Sequence, residues 1–457
     1  MASLTYLQEM AAFFRTGKTK SYDFRKKQLE ILRNGILEYE DELHAALYKD
    51  LHKSPEECWV TETGFVMAEI KDALRHLRRW MRPEKVSTNL ANLPSRSRVY
   101  AEPLGVVLII SPWNYPVNLL FTPLVGAIAA GNCCILKPSE HAPATGDVLI
   151  RMINKIFDPG YIRIAEGEGH IIIPEMMKAF RFHHVFYTGS TATGKKIYEM
   201  AASRLVPVTL ELGGKSPCVV EEDADIAMSA KRITLAKFSN AGQMCVAPDY
   251  ILVHNSVRNK LLDAIKENIK KFFGDKPEES AYYGRIINEA QFERLAGYLE
   301  SSNLAFGGYT NKEKLFIEPT ILTHVKEGDD IMQEEIFGPI LPILSFGQKE
   351  EALEIIERNP NPLAFYVFTS SRECEQYWLK AVSFGGGCRN NASLHLTNYH
   401  LPFGGRGDSG IGHYHGKYSF DIFSHKKAWM KTPGWFDPSL KYPPYAGKMN
   451  ILKKLIG

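Results

Sequence analysis

The sequence predicts an α/β protein with parallel sheets, on three observations. Val106 to Ile110 is an unbroken apolar run between Gly105 and Pro112, the pattern of a strand covered on both faces. Two more short apolar runs, Cys133 to Leu136 and Val185 to Tyr187, each lead through a polar loop toward a helical stretch, and strands that alternate with helices build βαβ units. With 457 residues the chain has length for about three domains.

From Thr5 to Tyr48, apolar residues such as Leu29, Leu32, Ile36, Tyr39 and Leu43 recur near the helical period, which predicts an amphipathic packing layer. A second helical stretch runs from Val60 to Trp80 and stops before Pro83. Between Pro83 and Pro103 the composition turns to Ser, Asn, Pro and Arg, and SRSRVYAEP reads as an extended linker or bridging arm. After Ile110 comes SPWNYP, whose two prolines fix a rigid turn around Trp113 and Asn114 at the carboxyl end of a strand, where α/β folds place ligands. A side-chain amide held there is set to donate to a developing oxyanion, although Asn also favours such turns for its own local chemistry.

The next strand ends in KPSE. Lys137 and Glu140 are surface charges in this loop or, in the case of Glu140, an acceptor for both hydroxyls of a ribose. Gly189, Thr191 and Gly194 imitate GxGxxG with the middle glycine replaced, which alone is a weak signal. Further on, Tyr250 to His254 and Ala364 to Phe368 read as strands, Arg258 to Phe272 and Lys349 to Arg358 as helices. Two glycine-rich stretches follow, FGGGCRNNASLH and LPFGGRGDSGIG, the second a loop whose backbone approaches a partner surface.

Hydrophobic content of 45%, charged content of 23%, a net charge of +3 and a pI near 8.3 describe an ordinary globular chain. No Lys/Arg block marks a nucleic-acid surface. The apolar runs are too short, or too broken by Gly126, Gly131 and Asn132, to span a bilayer. MASLTYLQEM lacks a basic segment followed by an apolar core, so a cytoplasmic protein is expected. Seven scattered cysteines without CxxC spacing fit a reducing compartment, with Cys133 and Cys134 in the core. The fourteen histidines form no HExxH, and no metal is expected.

The stretch from Leu205 to Tyr250 carries the chemistry. Glu211 closes an apolar run and meets Gly213 and Gly214, and Cys245 follows 245 − 211 = 34 positions later in a turn of small residues. Thiolate is the attacking form of cysteine, and a free thiol with a pKa near ~8.5 is only slightly ionised at neutral pH, so activation must come from the fold. A carboxylate does not favour thiolate electrostatically, but it takes a proton from thiol or water as a general base. Gly242 and Gln243 are read as keeping the approach to Cys245 open.

ELGGK at 211 to 215 and GQMC at 242 to 245 resemble the two signatures of the aldehyde dehydrogenase superfamily, and GQMCVAPDY is most similar to its class 3 branch. Matching motifs run in order from about Asp50 to Trp429. The resemblance implies two Rossmann-like parallel-sheet domains plus a small bridging arm: residues 1–82 and 102–209 for NAD(P), 210–400 for catalysis, 83–101 and 415–457 for bridging and oligomerisation. It implies Cys245 as nucleophile, Glu211 as general base and Asn114 as oxyanion donor. Cofactor contacts fall on Trp113, Lys137, Glu140, Gly189, Ser190, Gly194, Glu335 and Phe337, and the substrate channel on Tyr115 and Met244. Asn390 matches an asparagine that braces the catalytic loop.

Glu211 also lies 211 − 189 = 22 residues after Gly189, near the ~20 expected of a ribose-binding acid. Its place inside ELGGK assigns it to the base instead. The implied reaction is NAD(P)-dependent oxidation of an aliphatic or aromatic aldehyde: thiohemiacetal on Cys245, hydride transfer to nicotinamide, then hydrolysis of the thioester by Glu211-activated water. Glu140 favours NAD mildly, because it would repel a 2′-phosphate. The basic Pro/Tyr-rich tail implies a homodimer, and its end, ILKKLIG, lacks the hydrophobic anchor of some class 3 relatives, so no membrane insertion is expected. Two rivals are weighed against this. A CoA-acylating enzyme does not need Glu211, and a non-catalytic nucleotide-binding or structural member would not need Cys245, Glu211 and Asn114 together.

Overall fold

The structure, a computed structural model, describes residues 4–300 and 302–456. Residues 1–3 of the N-terminal stretch, Ser301 in the 210–400 segment and Gly457 of the tail lie outside the described residues.

Three helices, Tyr6–Arg15, Tyr22–Glu38 and Glu40–Leu51, open the chain. Ser21 starts the second by accepting from Phe24 N–H at 3.2 Å, and the stripe Leu29, Leu32 and Ile36 is fully buried. Gly35 lies so close to the helix Pro143–Ile156 that a Cβ there would come within 2.7 Å of Ile156. The predicted stretch ending at Trp80 forms as Gly64–Trp80, entered through a single π-turn at Trp59–Thr63.

These helices cover a six-stranded sheet in the order Gly410–Ile411, Val208–Glu211, His184–Thr188, Val106–Ile110, Cys133–Lys137, Ile162–Ile164. All neighbours are parallel except the Gly410 strand, which runs antiparallel to its partner. Every residue of Val106–Ile110 is buried, as its unbroken apolar run requires. Strand order reverses at Val106–Ile110, so the crevice at its carboxyl end is a topological switch point, and SPWNYP lies there.

A seven-stranded sheet follows: Leu304–Phe306, Thr320–Leu322, Ile340–Phe346, Tyr250–His254, Pro217–Val220, Ala364–Phe368, Gly386–Arg389. Only the Leu304 edge is antiparallel. Its last strand is the glycine run. A Cβ on Gly387 would collide with the Phe365 carbonyl, so the low β-propensity of these glycines yields to close backbone packing.

The stretch from 83 to 103 forms two antiparallel strands, Glu84–Val86 and Arg96–Pro103, and the third strand of that sheet is Ser424–Lys431 from the tail. The LPFGGRGDSGIG loop runs beside the strand that carries Glu211. The surface its backbone approaches is the chain's own: Gly410 pairs with Glu211, and Leu212 N–H donates to Ser409 O at 3.1 Å.

Candidate active site

A cavity of about 400 Å³ opens where the carboxyl ends of strands from the six-stranded sheet meet the Cys245 turn. Every predicted catalytic, cofactor and substrate residue lines it except Lys137, Glu140 and Gly194, and Asn390 lies outside it as well. Cys245 is partly buried. Burial, followed by the negative charges of Glu335 and Glu211, pushes its thiol up to about 12, against the weaker pull of the backbone N–H groups of Cys245 and Val246. Burial therefore favours the thiol form of Cys245 in this state.

Glu211 ends its strand buried at 3% exposure, and neither carboxyl oxygen has a hydrogen-bond partner among the described residues. Burial alone raises its pKa well above the carboxylate range. An unpaired buried carboxyl costs stability unless something enters to meet it, and this one faces the cavity that holds the thiol.

Asn114 is buried. Its Nδ2 donates to Gln243 O at 3.1 Å, and its backbone carbonyl accepts from Lys53 Nζ at 2.8 Å and Asn240 Nδ2 at 3.0 Å. The amide is thus locked to the loop that carries Cys245, and its second N–H has no acceptor among the described residues. Tyr115 and Met244 are buried at the cavity wall.

At the end of the neighbouring strand, Lys137 is buried and pairs with Glu140 at 2.9 Å, and the other Glu140 oxygen accepts from Gly169 N–H at 2.9 Å. Burial works to raise Glu140, but Lys137 and the backbone N–H groups outweigh it and hold the carboxyl at about 2. Ser190 caps the helix Thr191–Ala202 by accepting from Thr193 N–H at 3.4 Å. A Cβ on Gly189 would collide with the Tyr187 hydroxyl, and one on Gly194 with Leu212, so both glycines let the helix N-terminus sit tight on the sheet end. Such a terminus favours an anion.

Glu335 and Phe337 close the cavity from the other lobe. A Cβ on Gly213 would collide with the Glu335 carboxylate. Burial and Asp249 raise Glu335 to about 8, against the Gly214 N–H and Lys215. Phe337 holds a positive φ of 50° and meets Trp113 edge-on at 5.4 Å.

The sequence pattern of the aldehyde dehydrogenase family matches residues 6–429. The chain belongs to the aldehyde dehydrogenase family. It is 46% identical over 444 residues to 4,4'-diaponeurosporen-aldehyde dehydrogenase of Staphylococcus aureus, covering 97% of this chain and 96% of that one. To aldehyde dehydrogenase family 3 member B1 of Rattus norvegicus it is 44% identical over 444 residues, covering 97% and 94%. The solved substrate-bound state of Staphylococcus aureus AldH superposes at a TM-score of 0.98 and 44% identity, over 100% of both chains. Aldehyde dehydrogenases are oxidoreductases, and the paired Rossmann-like sheets are their fold. The class 3 likeness of GQMCVAPDY agrees with the family 3 relative.

The structure of this aldehyde dehydrogenase adds two buried charge pairs beside the cavity. Lys53 and Glu62 are both fully buried, 2.8 Å apart. Lys53 lies over the Tyr115 ring at 3.8 Å, and Glu62 accepts from Val117 and Asn118 N–H, so the pair pins the C-terminal half of SPWNYP and the residues that follow it. Lys215 of ELGGK donates to Asp249 at 2.6 Å and to the carbonyls of Ile331 and Glu334, and Asp249 accepts from Ile336 N–H at 3.0 Å. One charge pair therefore clamps the backbone that presents Glu335. Asn390, expected from its match to brace the catalytic loop, instead makes its side-chain hydrogen bonds to the loop after Ala364–Phe368, with Thr369 N–H and O at 2.9 Å each. Among the described residues, no group of three or more His, Cys, Asp or Glu is arranged to hold a metal ion.

Gly242 and Gln243 correct the sequence reading, because neither keeps an approach open. Gln243 is fully buried and holds Asn240 O, Arg285 O and Ile287 N–H. Gly242 has φ 75°, and a Cβ there would collide with the Gly338 carbonyl, so it seats the Cys245 turn on the EEIFGP segment. Gly242→Ala is expected to cost about 1–3 kcal/mol, read as a lower denaturant midpoint at unchanged slope.

Proposed function

We propose that this aldehyde dehydrogenase oxidises an aliphatic or aromatic aldehyde to the carboxylic acid with NAD or NADP, through a covalent adduct on Cys245. The reading rests on a single observation: one cavity holds a thiol and a buried carboxyl, Glu211, that no described residue engages. As the Cys245 sulfur bonds to the aldehyde carbon, its proton passes to solvent water in the cavity, so this step does not need Glu211. The carbonyl oxygen, now negative, accepts from Asn114 Nδ2 and the Cys245 N–H. A bound nicotinamide supplies the hydride acceptor. Glu211 then takes a proton from the water that cleaves the thioester. Walls such as Phe65, Leu119, Leu235 and Leu396 favour apolar aldehydes over charged ones.

The residues fit a dinucleotide. The capped helix N-terminus after Gly189 suits the pyrophosphate, Lys137 and Glu140 the adenosine ribose, and Glu335 and Phe337 the nicotinamide end. Glu140 is anionic at neutral pH, which supports a mild preference for NAD. Glu140→Gln should raise the NADP-to-NAD ratio of kcat/KM by about fivefold, the order of one charge contact of ~1 kcal/mol in water. Asn114→Ala should lower kcat by about 10²–10³-fold, in single-turnover reduction and in thioester hydrolysis alike, since both steps use the same oxyanion site.

Mixing the protein with NAD or NADP and a panel of medium-chain aliphatic and aromatic aldehydes tests the whole reading by the appearance of reduced nicotinamide. Turnover that requires added CoA would replace water with a thiol acceptor. Retained nucleotide binding without any turnover would reject catalysis. No helix among the described residues is long and apolar enough to cross a membrane. The edge strand Ser424–Lys431, with Trp429 and Met430 exposed, supports a homodimer, which light scattering measures.

A further inference from the structure

His415 and Glu69 form a second buried polar pair at the wall of the Cys245 cavity. His415 lines the cavity at 3% exposure and has a φ of 83°, a conformation that costs a non-glycine residue energy. Its ring is boxed by Phe65 at 5.5 Å, Phe403 at 5.2 Å and Tyr414 at 4.3 Å. Glu69, from the helix Gly64–Trp80, gives one oxygen to Gly416 N–H at 2.9 Å. Its other oxygen lies 3.4 Å from His415 Nδ1, and neither atom has a well-formed hydrogen bond among the described residues. With Nδ1 turned to Glu69, Nε2 is the ring nitrogen left for the cavity, where Phe65, Leu394, Leu396 and Phe403 are otherwise apolar.

We propose that the Glu69–His415 pair binds a hydroxyl group on the aldehyde, remote from the carbonyl carbon that meets Cys245. The inference rests on the aldehyde-oxidising reading of this cavity. A neutral hydroxyl suits the pair better than a charged group, which would lose hydration without a counter-charge. The pair also presents either hydrogen-bonding role. With Glu69 ionised, His415 Nδ1–H donates to it and Nε2 accepts. With Glu69 protonated, its O–H donates to Nδ1 and Nε2–H donates into the cavity. A hydroxyl answers both states, whereas an ether oxygen answers only the second.

Burial, opposed by the Gly416 N–H and aided by Asp72, raises Glu69 to about 7, while burial and His395 hold His415 near 3, hence neutral. The other titratable groups facing the pair are Asp72, which is bonded to His76 at 2.8 Å, together with Tyr414 and His395.

The test compares kcat/KM for n-alkanals, their terminally hydroxylated analogues and the methyl ethers of those, over a series of chain lengths. In wild type, one chain length should favour the hydroxyl. His415→Phe should lower the hydroxyalkanal-to-alkanal ratio there by about tenfold. The ether-to-alkanal ratio should rise in wild type as pH falls through about 7, and Glu69→Gln should flatten that rise, a readout independent of whether His415→Phe folds. Ratios unchanged by both substitutions, with alkanals still oxidised, would overturn the inference alone. Failure of wild type to oxidise any alkanal would overturn the parent reading instead.

Discussion

Cys245→Ser should lower aldehyde oxidation by more than about 10³-fold while nucleotide binding persists. Serine keeps the size of the side chain and the backbone N–H that faces the developing oxyanion, so the change isolates the sulfur. Burial and two nearby carboxyls already hold the Cys245 thiol up at about 12. An alkoxide would be harder still to form in the same place, and a hydroxyl is the weaker nucleophile. Steady-state production of reduced nicotinamide measures the loss, and fluorescence titration with reduced nucleotide is the binding control. The raised thiol also fixes a sign: alkylation of the free enzyme at Cys245 should accelerate as pH rises, because only thiolate reacts. Cys133, Cys134 and Cys218 are fully buried and should stay unmodified in the folded protein. A serine variant that reduces nicotinamide at the original rate would end the proposed chemistry.

Much of the site was legible because its parts lie at strand ends. Trp113, Asn114, Gly189 and Glu211 all follow or end strands of the six-stranded sheet, and the apolar runs that locate those strands are plain in the sequence. Residues that act through another residue were not legible. Lys53 and Glu62 look like ordinary surface charges, since nothing in a sequence says that two charges nine positions apart will be buried against each other. The same holds for Lys215 and Asp249, where the backbone that Lys215 bonds lies more than a hundred residues away. Gly242 departs from its sequence reading for a related reason. A sequence shows that a glycine lacks a side chain, but whether the space goes to a ligand or to neighbouring backbone depends on packing. At Gly242 it goes to backbone. The strand Ser424–Lys431 was hidden because its partner, Arg96–Pro103, lies at the far end of the chain.

Glu211→Gln should separate the two halves of the reaction. The amide fills the same buried space but cannot take a proton from water, so the first turnover should proceed and the second should stall. The expected result is a burst of about one equivalent of reduced nicotinamide per active site, followed by a steady rate lowered by about 10²–10⁴-fold, with the acyl group found on Cys245 by intact mass. Burial raises Glu211 and the working form is the carboxylate, so thioester hydrolysis by wild type should climb with pH through that raised value. The Gln variant should lack that limb. Stability moves the other way. Unfolded Glu211 ionises in the ordinary carboxylate range while the folded group holds its proton to higher pH, so the folded state binds more protons in between and loses stability as pH rises across that window. Glutamine removes the penalty, and the variant should gain on wild type in denaturant midpoint as pH rises from the ordinary carboxylate range. A lower activity joined to a higher midpoint is the signature of a buried acid kept for chemistry. No burst together with an unchanged pH slope would remove Glu211 from the mechanism.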